Sequence, residues 1–396
     1  MSVRTTPSVC MVSFLFFPHY SGAGAQALTL SKKLVAHGTS VMFVTAGFDG
    51  DPEFEEYEGF RVFRILCGGL GVVGLVKFWV RLFALLLRHR REFDLIHVHG
   101  VAAWQILTGL YGRILGRPTL IKVTMAEADL DFKRRGRLLG KLEAACFRHF
   151  SRYIALSSKI TGELRAVGVP PARIVTLPNG VNTDRFHPVT PMEKERIKHK
   201  LQLTKPKIVT FIGMVIRRKG IDVLIEAWER VIRACPDACL LLIGPTAGIE
   251  AHCTDNTFID SIRTSIQSLG LEDHALILGA RQDVELYLQA SDVFVLPSQA
   301  EGLPNVLLEA MACGLPCITT RVSGTEDVIT DGGNGFLVDY GDRESLQARL
   351  IQLLRDDELC GMIGANALQT VQSKYALEMI ANSYARVYEE LLDRHS

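Results

Sequence analysis

Residues 293–320 have the sequence VFVLPSQAEGLPNVLLEAMACGLPCITT, and this stretch decides the fold class. It opens with the apolar run VFVL and closes with CITT, and both runs have the length and composition of buried strands. Between them, Pro304 suits the first turn of a helix, and Gly314 followed by Pro316 marks its end. We therefore predict a strand, a helix that begins near Leu303 and a second strand, which together are the repeating unit of a parallel α/β sheet.

The same alternation of short apolar runs and amphipathic segments extends along the chain. The strand-like runs are VCMVSFLFF, VMFVT, LIHVH, TLIKVT, YIALS and RIVTLP in the first half, and KIVTFIG, CLLLIG, ALILG, VFVLPS and PCITT in the second. Strands that are apolar throughout, with helices between them, are typical of parallel sheets covered on both faces. With 396 residues, the chain has the length of two such domains.

The pattern stops and restarts once, which divides the chain. We predict a first doubly wound domain over residues 1–188, an interdomain linker over 189–205 and a second domain over 206–375. The linker prediction rests on polar composition and several prolines. A last helix over 376–396 either closes the second domain or crosses back to the first. Ligands of such sheets bind beyond the carboxyl ends of the strands, so we expect a site in the cleft between the domains.

Composition excludes several classes of protein. With 48% apolar and 22% charged residues, the chain is globular rather than disordered, collagen-like or coiled-coil. The net charge of +1 hides a split, because residues 1–188 contain 24 Lys and Arg against 14 Asp and Glu, whereas the remainder contains 20 against 29. A basic first half indicates an anionic partner. The nine cysteines show no zinc-site spacing, and we expect reduced thiols in a cytoplasmic protein.

The opening stretch carries two carboxylates, Glu301 in the loop and Glu309 about 1.5 turns into the predicted helix. Backbone N–H groups and the positive end of the helix dipole lie near the start of the helix, which makes an anion site suited to a diphosphate. The carboxylates should lie roughly 8–12 Å apart. That span fits a ligand with hydroxyls at both ends and phosphates between them, as in a nucleotide sugar. The alternative is a surface helix with two solvated glutamates.

Two further strand ends carry residues suited to phosphate. Arg217, Arg218 and Lys219 follow the strand KIVTFIG, so their charges are placed to neutralise a diphosphate in the same cleft. A solvated basic turn is the alternative. The glycine-rich turn SGAG, which includes Gly22, follows the first strand, where a backbone without side chains lets a ligand approach closely. This turn lacks the GxGxxG spacing of dinucleotide-binding proteins.

The segment from Glu301 to Pro316, with seven residues between its two glutamates, closely resembles the retaining glycosyltransferases of family 4. The resemblance covers nearly the whole chain and implies the GT-B fold, an α/β architecture of two Rossmann-like, doubly wound parallel-sheet domains facing across a cleft. It implies that Glu301 contacts the donor sugar, that Lys219 binds phosphate and serves catalysis with Glu301, and that Glu309 binds the ribose hydroxyls. It also implies that no metal or other cofactor is needed, because lysine and the helix dipole stabilise the leaving diphosphate. The donor-binding residues implied are Gly22, Arg218, Lys219, Glu301, Gly302, Leu303, Pro304, Asn305 and Glu309.

The chain departs from the family pattern at two positions. Met214 stands where many members have an arginine, and Arg217 or Arg218 are the candidates to replace its charge. Met125 stands at or near the place of a histidine on the acceptor side. The acceptor-side base is therefore unassigned. Its candidates are at strand ends, and a structural role is the alternative for each of them: His99, Glu127 and Asp129.

The resemblance implies a retaining glycosyltransferase of the hexosyltransferase class that uses a nucleotide-diphosphate sugar, expected to be UDP-linked. The expected acceptor is a glycan or a lipid-linked acceptor in the biosynthesis of a cell-surface polysaccharide. Two alternatives stay open, a nucleotide-sugar epimerase of the same fold and a non-catalytic nucleotide-sugar sensor. An epimerase needs no acceptor, and a sensor releases no nucleoside diphosphate.

The basic half contains an amphipathic segment over residues 72–91. Helical spacing places Lys77, Arg81 and Arg88 on one face, among Phe, Trp and Leu side chains. One interpretation is an interfacial helix at an anionic membrane leaflet, and the other is a helix packed on the first sheet. The basic loop DFKRRGRLLGK at 131–141 favours a peripheral enzyme at the inner face of the membrane. We expect no nucleic-acid partner, because no motif for one is present.

Overall fold

The computed structural model describes residues 6–19, 21–66, 71–132, 137–246 and 256–394. The chain divides into unit 1, which comprises Met1–Gly180 and Leu377–Ser396, and unit 2, which comprises Val181–Ala376. Each unit is built around its own largely parallel sheet. Residues 133–136 of the predicted basic loop lie outside the described residues.

Among the described residues, eight strands form the sheet of unit 1. Their bounds are β1 Ser8–Ser13, β2 Ser40–Gly47, β3 Phe54–Tyr57, β4 Phe60–Leu66, β5 Leu95–His99, β6 Thr119–Val123, β7 Arg152–Ala155 and β8 Ile174–Thr176. They lie in the order β3-β4-β2-β1-β5-β6-β7-β8, and every pair is parallel except β3 with β4. Strands β1, β5, β6 and β7 are buried along their whole length, as their continuous apolar runs predict. The helices that follow in this part of the chain are α1 Gly22–Ala36, α2 Val72–Arg88, α3 Thr108–Leu115, α4 Arg137–Phe147 and α5 Ser158–Ala166.

The described part of unit 2 has a fully parallel sheet of six strands. Their bounds are β9 Lys207–Ile212, β10 Ala238–Ile243, β11 Ala275–Gly279, β12 Val293–Leu296, β13 Cys317–Thr320 and β14 Phe336–Val338. Their order is β11-β10-β9-β12-β13-β14, so β9 and β12 are central neighbours. Because both strands run in the same direction, the loops that follow them meet at one edge of the sheet. The helices are α6 Pro191–Lys200, α7 Ile221–Ala234, α8 Asn256–Ser268, α9 Val284–Ala290, α10 Asn305–Ala312, α11 Thr325–Val328, α12 Arg343–Arg355 and α13 Asp357–Lys374.

The C-terminal helix, α14 Leu377–Asp393, belongs to unit 1. Its buried side chains recur at helical spacing, and Tyr384, Tyr388 and Leu391 share one core cluster with Val9 of β1 and Leu34 of α1. The chain therefore returns to its first unit after completing the second, and α14 is part of the core of unit 1 rather than an appendage.

The predicted domain boundary is wrong in two respects. The division falls after Gly180 rather than after residue 188, and residues 189–205 belong to unit 2 instead of forming a linker. Helix α6 lies in this stretch, and Nζ of Lys194 pairs with Asp292 at 2.7 Å. The polar composition that suggested a linker thus belongs to a surface helix that an ion pair fixes on unit 2.

The helix of the opening stretch, α10, begins at Asn305 instead of near Leu303. Pro304 has extended backbone, with φ −70° and ψ 121°, and serves as the N-cap rather than as a residue of the first turn. The loop before the helix is therefore longer than predicted and contains all of Glu301–Pro304.

Candidate active site

The carboxyl ends of β9 and β12 bring a lysine and a glutamate together in unit 2. Lys219 ends a single 3-10 turn after β9, and Glu301 lies in the loop after β12. Nζ of Lys219 donates to Oε1 of Glu301 at 2.5 Å, and the two side chains are only 11% and 8% exposed. Charge-assisted hydrogen bonds of this kind are short and directional. The pair therefore holds an ammonium and a carboxylate side by side at the sheet edge where ligands bind.

Arg218 connects the 3-10 turn that ends at Lys219 to the loop after β12 by hydrogen bonds. Its Nη1 donates to the carbonyl of Ala300 at 2.5 Å and lies 3.9 Å from Oε2 of Glu301. Its own carbonyl accepts a hydrogen bond from the N–H of Gln299 at 2.8 Å. Arg217 has a side chain that is 70% exposed. Of the two arginines predicted to replace a missing charge, Arg218 is thus the one beside Glu301.

Two glycines with left-handed backbone let this loop pack closely. Gly220 has φ +66°, and a Cβ there would lie 2.1 Å from the carbonyl oxygen of Pro297. Gly324 has φ +79°, and a Cβ there would lie 1.9 Å from the carbonyl oxygen of Gly302. No side chain fits at either position unless the backbone moves. Both glycines therefore shape the loop that carries Glu301.

The N-terminus of α10 directly follows this loop. Pro304 is the N-cap, and no side chain among the described residues caps the helix by a hydrogen bond. N–H groups in the first turn of a helix carry partial positive charge and bind anions. The predicted donor-binding residues Gly302, Leu303, Pro304 and Asn305 adjoin this positive end. A lysine, an arginine and a helix N-terminus in one short loop system suit a diphosphate.

Glu309 lies on the second turn of α10 and is half-buried. Burial raises the pKa of its carboxyl to about 7, Arg185 opposes the rise, and Glu285 adds to it. Within the described ranges, the Glu309 carboxylate has no hydrogen-bond partner. An ionised carboxylate is an acceptor only, so this group is available to hydroxyl donors of a ligand.

Gly22, the predicted donor-binding residue of the first domain, is the exposed first residue of α1 in unit 1. Ser21 caps this helix by accepting a hydrogen bond from the N–H of Gly24 at 2.9 Å. A Cβ on Gly24 would lie 2.5 Å from the carbonyl oxygen of Leu15. The glycine-rich turn is thus required by close backbone packing, and the role of Gly22 toward a donor stays a prediction.

Two of the acceptor-side candidates are engaged by their own surroundings. Oδ2 of Asp129 accepts hydrogen bonds from the N–H groups of Thr124 and Met125 at 2.7 and 2.9 Å, which closes the loop after β6. Glu127 has a side chain that is 70% exposed and accepts a hydrogen bond from Nζ of Lys159 at 2.5 Å. The geometry favours a structural role for Asp129 and leaves Glu127 at the surface.

The third candidate, His99, belongs to a buried polar cluster in unit 1. Its Nε2 lies 3.3 Å from Sδ of Met11, and its ring centroid lies 4.1 Å from that of His97. Nδ1 of His97 is hydrogen-bonded to the hydroxyl of Tyr388 at 2.8 Å. Burial holds the pKa of both histidines well below the usual value, and nearby Lys122 adds to the effect. A buried imidazole of lowered pKa is a weak base, so the geometry favours a structural role for His99.

Several residues that are prominent in the structure were not among the predicted site residues. Lys122 was visible as a lysine inside the apolar strand TLIKVT, and His97 as the partner of His99 at alternate positions of LIHVH. Arg185 and Glu285 form an ion pair at 2.6 Å although they lie 100 residues apart. No local sequence pattern predicts this ion pair, because only the tertiary fold brings the two residues together.

Two family models match the chain. The model described as Glycosyltransferase Family 4 matches residues 20–185, and the model described as Glycosyl transferases group 1 matches residues 193–370. Together the matches span most of both units.

Among curated relatives, the N-acetyl-alpha-D-glucosaminyl L-malate synthase of Bacillus anthracis is 27% identical over 378 residues, covering 95% of this chain and 96% of the relative. The UDP-Gal:alpha-D-GlcNAc-diphosphoundecaprenol alpha-1,3-galactosyltransferase of Escherichia coli is 26% identical over 339 residues, covering 83% and 82% of the two chains. Among solved structures, Anabaena HepE in complex with UDP and glucose superposes with a TM-score of 0.81 at 19% identity, covering 97% of this chain and all of that chain. At that identity the likeness shows the fold alone.

Proposed function

The chain belongs to the group 1 glycosyltransferases of family 4, and on that premise we propose that it moves a sugar from a UDP-linked donor to a glycan or lipid-linked acceptor with retention of anomeric configuration. Its two α/β units have the GT-B architecture that the sequence predicted. Glycosyltransferase activity in polysaccharide or glycolipid biosynthesis follows from its relatives and argues against the epimerase and sensor alternatives. The UDP-Gal donor named for the E. coli relative supports the choice of nucleotide, and the diphosphoundecaprenol-linked substrate named for the same relative supports a lipid-linked acceptor.

The buried pair of Lys219 and Glu301 is the observation that carries the proposal. An ammonium has three N–H donors, and among the described residues Lys219 donates one of them to Glu301. Two donors remain for phosphate oxygens of a donor substrate. The carboxylate of Glu301, fixed beside them, is placed to accept a hydroxyl of the attached sugar. In the proposed complex, Glu309 accepts the ribose hydroxyls.

In the proposed step, the acceptor hydroxyl oxygen forms a bond to the anomeric carbon while the bond from that carbon to the diphosphate oxygen breaks. The electron pair of the broken bond leaves with the diphosphate, and the hydroxyl proton passes to the departing phosphate oxygen. Attack and departure on the same face retain the configuration. We favour this route over a double displacement through a carboxylate nucleophile. Lys219 and the N-terminus of α10 stabilise the charge that develops on the diphosphate, without a metal ion.

Release of nucleoside diphosphate from a panel of nucleotide sugars, with and without a glycan or polyprenyl-diphosphate-sugar acceptor, tests this function. We expect release with a UDP-sugar that depends on the acceptor. Lys219→Met and Glu301→Gln should each lower kcat/KM by about 10²-fold or more, because each removes a charge aimed at the reacting groups. Lys374→Met, an exposed lysine on α13, is the matched control and should retain activity. Near-normal turnover in either site variant contradicts the assignment.

We also propose that unit 1 docks on an anionic membrane through α2. Both interpretations of this segment have support, because one face of the helix is buried while the other is exposed. The buried positions are Gly74, Phe78, Leu82 and Leu86. The exposed apolar positions, with exposures of 41–75%, are Val72, Val73, Val76, Val80 and Leu87. Lys77, Arg81 and Arg88 are exposed on the same helix. Within the described residues, no helix is long and apolar enough to cross a bilayer.

An exposed apolar row flanked by cations matches the two attractions of an anionic leaflet, since the valines can enter the acyl boundary while the cations meet the headgroups. Sedimentation with vesicles that contain or lack anionic lipid tests the contact. We expect binding to the anionic vesicles alone, and weaker binding in high salt. Val76→Ser with Val80→Ser should reduce binding, whereas Val35→Ser, an exposed valine on α1, should not. Equal binding to both kinds of vesicle excludes the proposal.

A further inference from the structure

The segment of residues 182–188 follows the crossing from unit 1 into unit 2, and its own turn holds it in one conformation. Oδ1 of Asn182 accepts hydrogen bonds from the N–H groups of Asp184 and Arg185 at 3.0 and 3.4 Å. The carbonyl of Asn182 accepts another from the N–H of Phe186 at 2.9 Å. Phe186 is buried, and the Arg185 guanidinium lies 5.2 Å from its ring centroid. The direction of the Arg185 side chain is therefore determined by the turn.

Arg185 reaches α9 from this turn. Its Nε and Nη2 donate to Oε2 of Glu285 at 3.0 and 2.6 Å, and Nη2 also donates to the carbonyl of Gln282 at 2.8 Å. Farther along the segment, the carbonyl of His187 accepts a hydrogen bond from Nε2 of Gln289 at 3.3 Å. Arg185 thus makes three donor contacts at the start of α9, and Gln289 makes a fourth hydrogen bond near the end of that helix. Together they attach the segment along α9.

The same segment reaches the C-terminal end of α10. A Cβ on Gly314, just beyond that helix, would lie 3.4 Å from Cγ of Pro188. Residues 182–188 therefore lie against both α9, which carries Glu285, and α10, which carries Glu309. Arg185 contacts Glu285 directly at 2.6 Å, and the charges of both act on Glu309 through space.

The charges of Arg185 and Glu285 shift the pKa of Glu309 in opposite directions. Burial raises its pKa to about 7, Arg185 lowers that value and Glu285 raises it further. The Cys313 thiol on its own helix is also titratable, and its pKa is raised by burial and by both glutamates, while a hydrogen bond with the backbone of His187 opposes the rise. The neighbouring elements β12, β13 and α13 contribute apolar or uncharged side chains at their buried positions, and burial raises the pKa of the Cys317 thiol on β13. Arg185 and Glu285 are thus the nearby full charges that can tune Glu309.

We propose that Arg185 and Glu285 are positioning residues for donor recognition, because the opposite charges that their ion pair holds on α9 act on Glu309 of α10 and so set its affinity for the ribose of the donor. The inference rests on the proposed function, in which Glu309 accepts the ribose hydroxyls. An ionised carboxylate can accept both hydroxyl hydrogens, whereas a protonated one has a hydrogen of its own to place and loses one of these acceptor sites. Protonation of Glu309 therefore weakens ribose recognition without touching the diphosphate contacts.

Calorimetric titration with UDP and with 2′,3′-dideoxyuridine diphosphate between pH 5.5 and 9 tests the inference on the full chain. The phosphates of the two ligands titrate alike, so the ratio of their Kd values isolates the ribose hydroxyls. For the unmodified protein, we expect the preference for UDP to be full at pH 9 and to fall by up to about tenfold per pH unit below a midpoint near pH 7. Glu309→Gln should abolish the pH dependence of the ratio.

Two variants should move the midpoint in opposite directions. Arg185→Met should raise it and Glu285→Gln should lower it, each by about 0.5–1 pH unit, the size expected of one nearby charge in a partly solvated setting. The double variant should fall between the two. A purely structural role for the segment would weaken UDP at every pH and leave the midpoint in place. Equal affinity of each variant and the unmodified protein for UDP at pH 9 shows an intact site.

The outcomes separate this inference from the function on which it rests. If neither ligand binds at any pH, and GDP and ADP do not bind either, the proposed function fails. If UDP binds but the ratio of Kd values is constant with pH, or both variants move the midpoint in the same direction, the function stands and the role of Arg185 and Glu285 is refuted. If Arg185→Met does not fold, the downward shift in Glu285→Gln decides the question, because that change is nearly isosteric.

Discussion

Replacing Lys122 by methionine should stabilise unit 1, and the gain should shrink as the pH rises. Lys122 lies within β6 and is 2% exposed. Its Nζ lies 5.6 Å from the ring centroid of Tyr384, and no carboxylate among the described residues pairs with it. Methionine has a similar length, an adaptable shape and no charge, so it can occupy the same space. The substitution removes the charge and keeps most of the packing.

The magnitude follows from the change in proton affinity on folding. Burial lowers the pKa of Lys122 from 10.5 to about 7. Between those values the unfolded chain binds a proton that the folded chain does not, so the free energy of unfolding rises with pH at about 1.4 kcal/mol per unit. The destabilisation is largest below pH 7, amounts to roughly 4 kcal/mol at pH 7 and roughly 2 kcal/mol at pH 9, and vanishes above pH 10.5. Methionine avoids this contribution at every pH.

Urea denaturation is carried out at pH 7, 8 and 9 and monitored by hydrogen exchange of peptides from β6 and α14. This readout reports the stability of unit 1 separately from that of unit 2. Lys122→Met should gain several kcal/mol at pH 7 and about half as much at pH 9. The matched control is Lys32→Met on α1, whose side chain is 54% exposed, and it should change stability by less than about 0.5 kcal/mol. A destabilised Lys122→Met protein, or a gain that is equal at pH 7 and pH 9, would refute the assignment of a buried, unpaired amine.

Two further predictions concern the candidate site and the core of unit 1. Gly324→Ala should lower kcat/KM by at least tenfold, because the new Cβ would lie 1.9 Å from the carbonyl oxygen of Gly302. Gly332 has φ +73° and open space around it, so the control Gly332→Ala should lose about 1 kcal/mol of stability and keep its turnover. Equal turnover in the two variants contradicts the role given to the loop. Tyr388→Phe should destabilise unit 1 by about 1–3 kcal/mol in the same exchange assay, because it removes the hydroxyl that lies 2.8 Å from Nδ1 of His97. Unchanged stability would show that this hydrogen bond contributes nothing.

Most strands that could be predicted are those that the sheets bury on both faces, because their apolar runs are continuous. The edge strands β8 and β11 were also predicted from apolar runs, although they are only partly buried. Strand β3 escaped prediction since FEEY alternates between exposed and half-buried residues at the antiparallel edge of its sheet. Strand β4 carries two arginines, and Arg64 is buried there with its Nη2 donating to Oε1 of Glu55 and to the carbonyl of Phe17, each at 2.5 Å. Strand β14 is a run of only three residues at the edge of its sheet. In each case the element is stabilised by partners that are distant in sequence or by pairing at an edge.

Part of the candidate site could likewise be predicted from the sequence, and part could not. Lys219 and Glu301 follow two apolar strands, and a parallel sheet must bring the ends of neighbouring strands to one edge, so their proximity could be predicted. The domain boundary could not, because the polar stretch that follows Gly180 has the composition of a linker and is fixed on unit 2 only by contacts such as that of Lys194 with Asp292. Local pattern predicts which loops bear the chemistry, while tertiary pairing decides which charges surround it.

The boundaries of the two units also change the meaning of the near-zero net charge. Unit 1 has 25 Lys and Arg against 17 Asp and Glu, whereas unit 2 has 19 against 26, so the split persists when α14 is counted with unit 1. A diphosphate that binds to the acidic unit 2 is repelled by the unit as a whole and must be held at short range. The buried Lys219 and the N-terminus of α10 can do this, because salt screens such contacts little. The exposed cations of α2 act over longer distances and are screened by salt. Salt should therefore weaken membrane contact much more than donor binding, as expected if unit 2 recognises its ligand by local geometry and unit 1 its partner by surface charge.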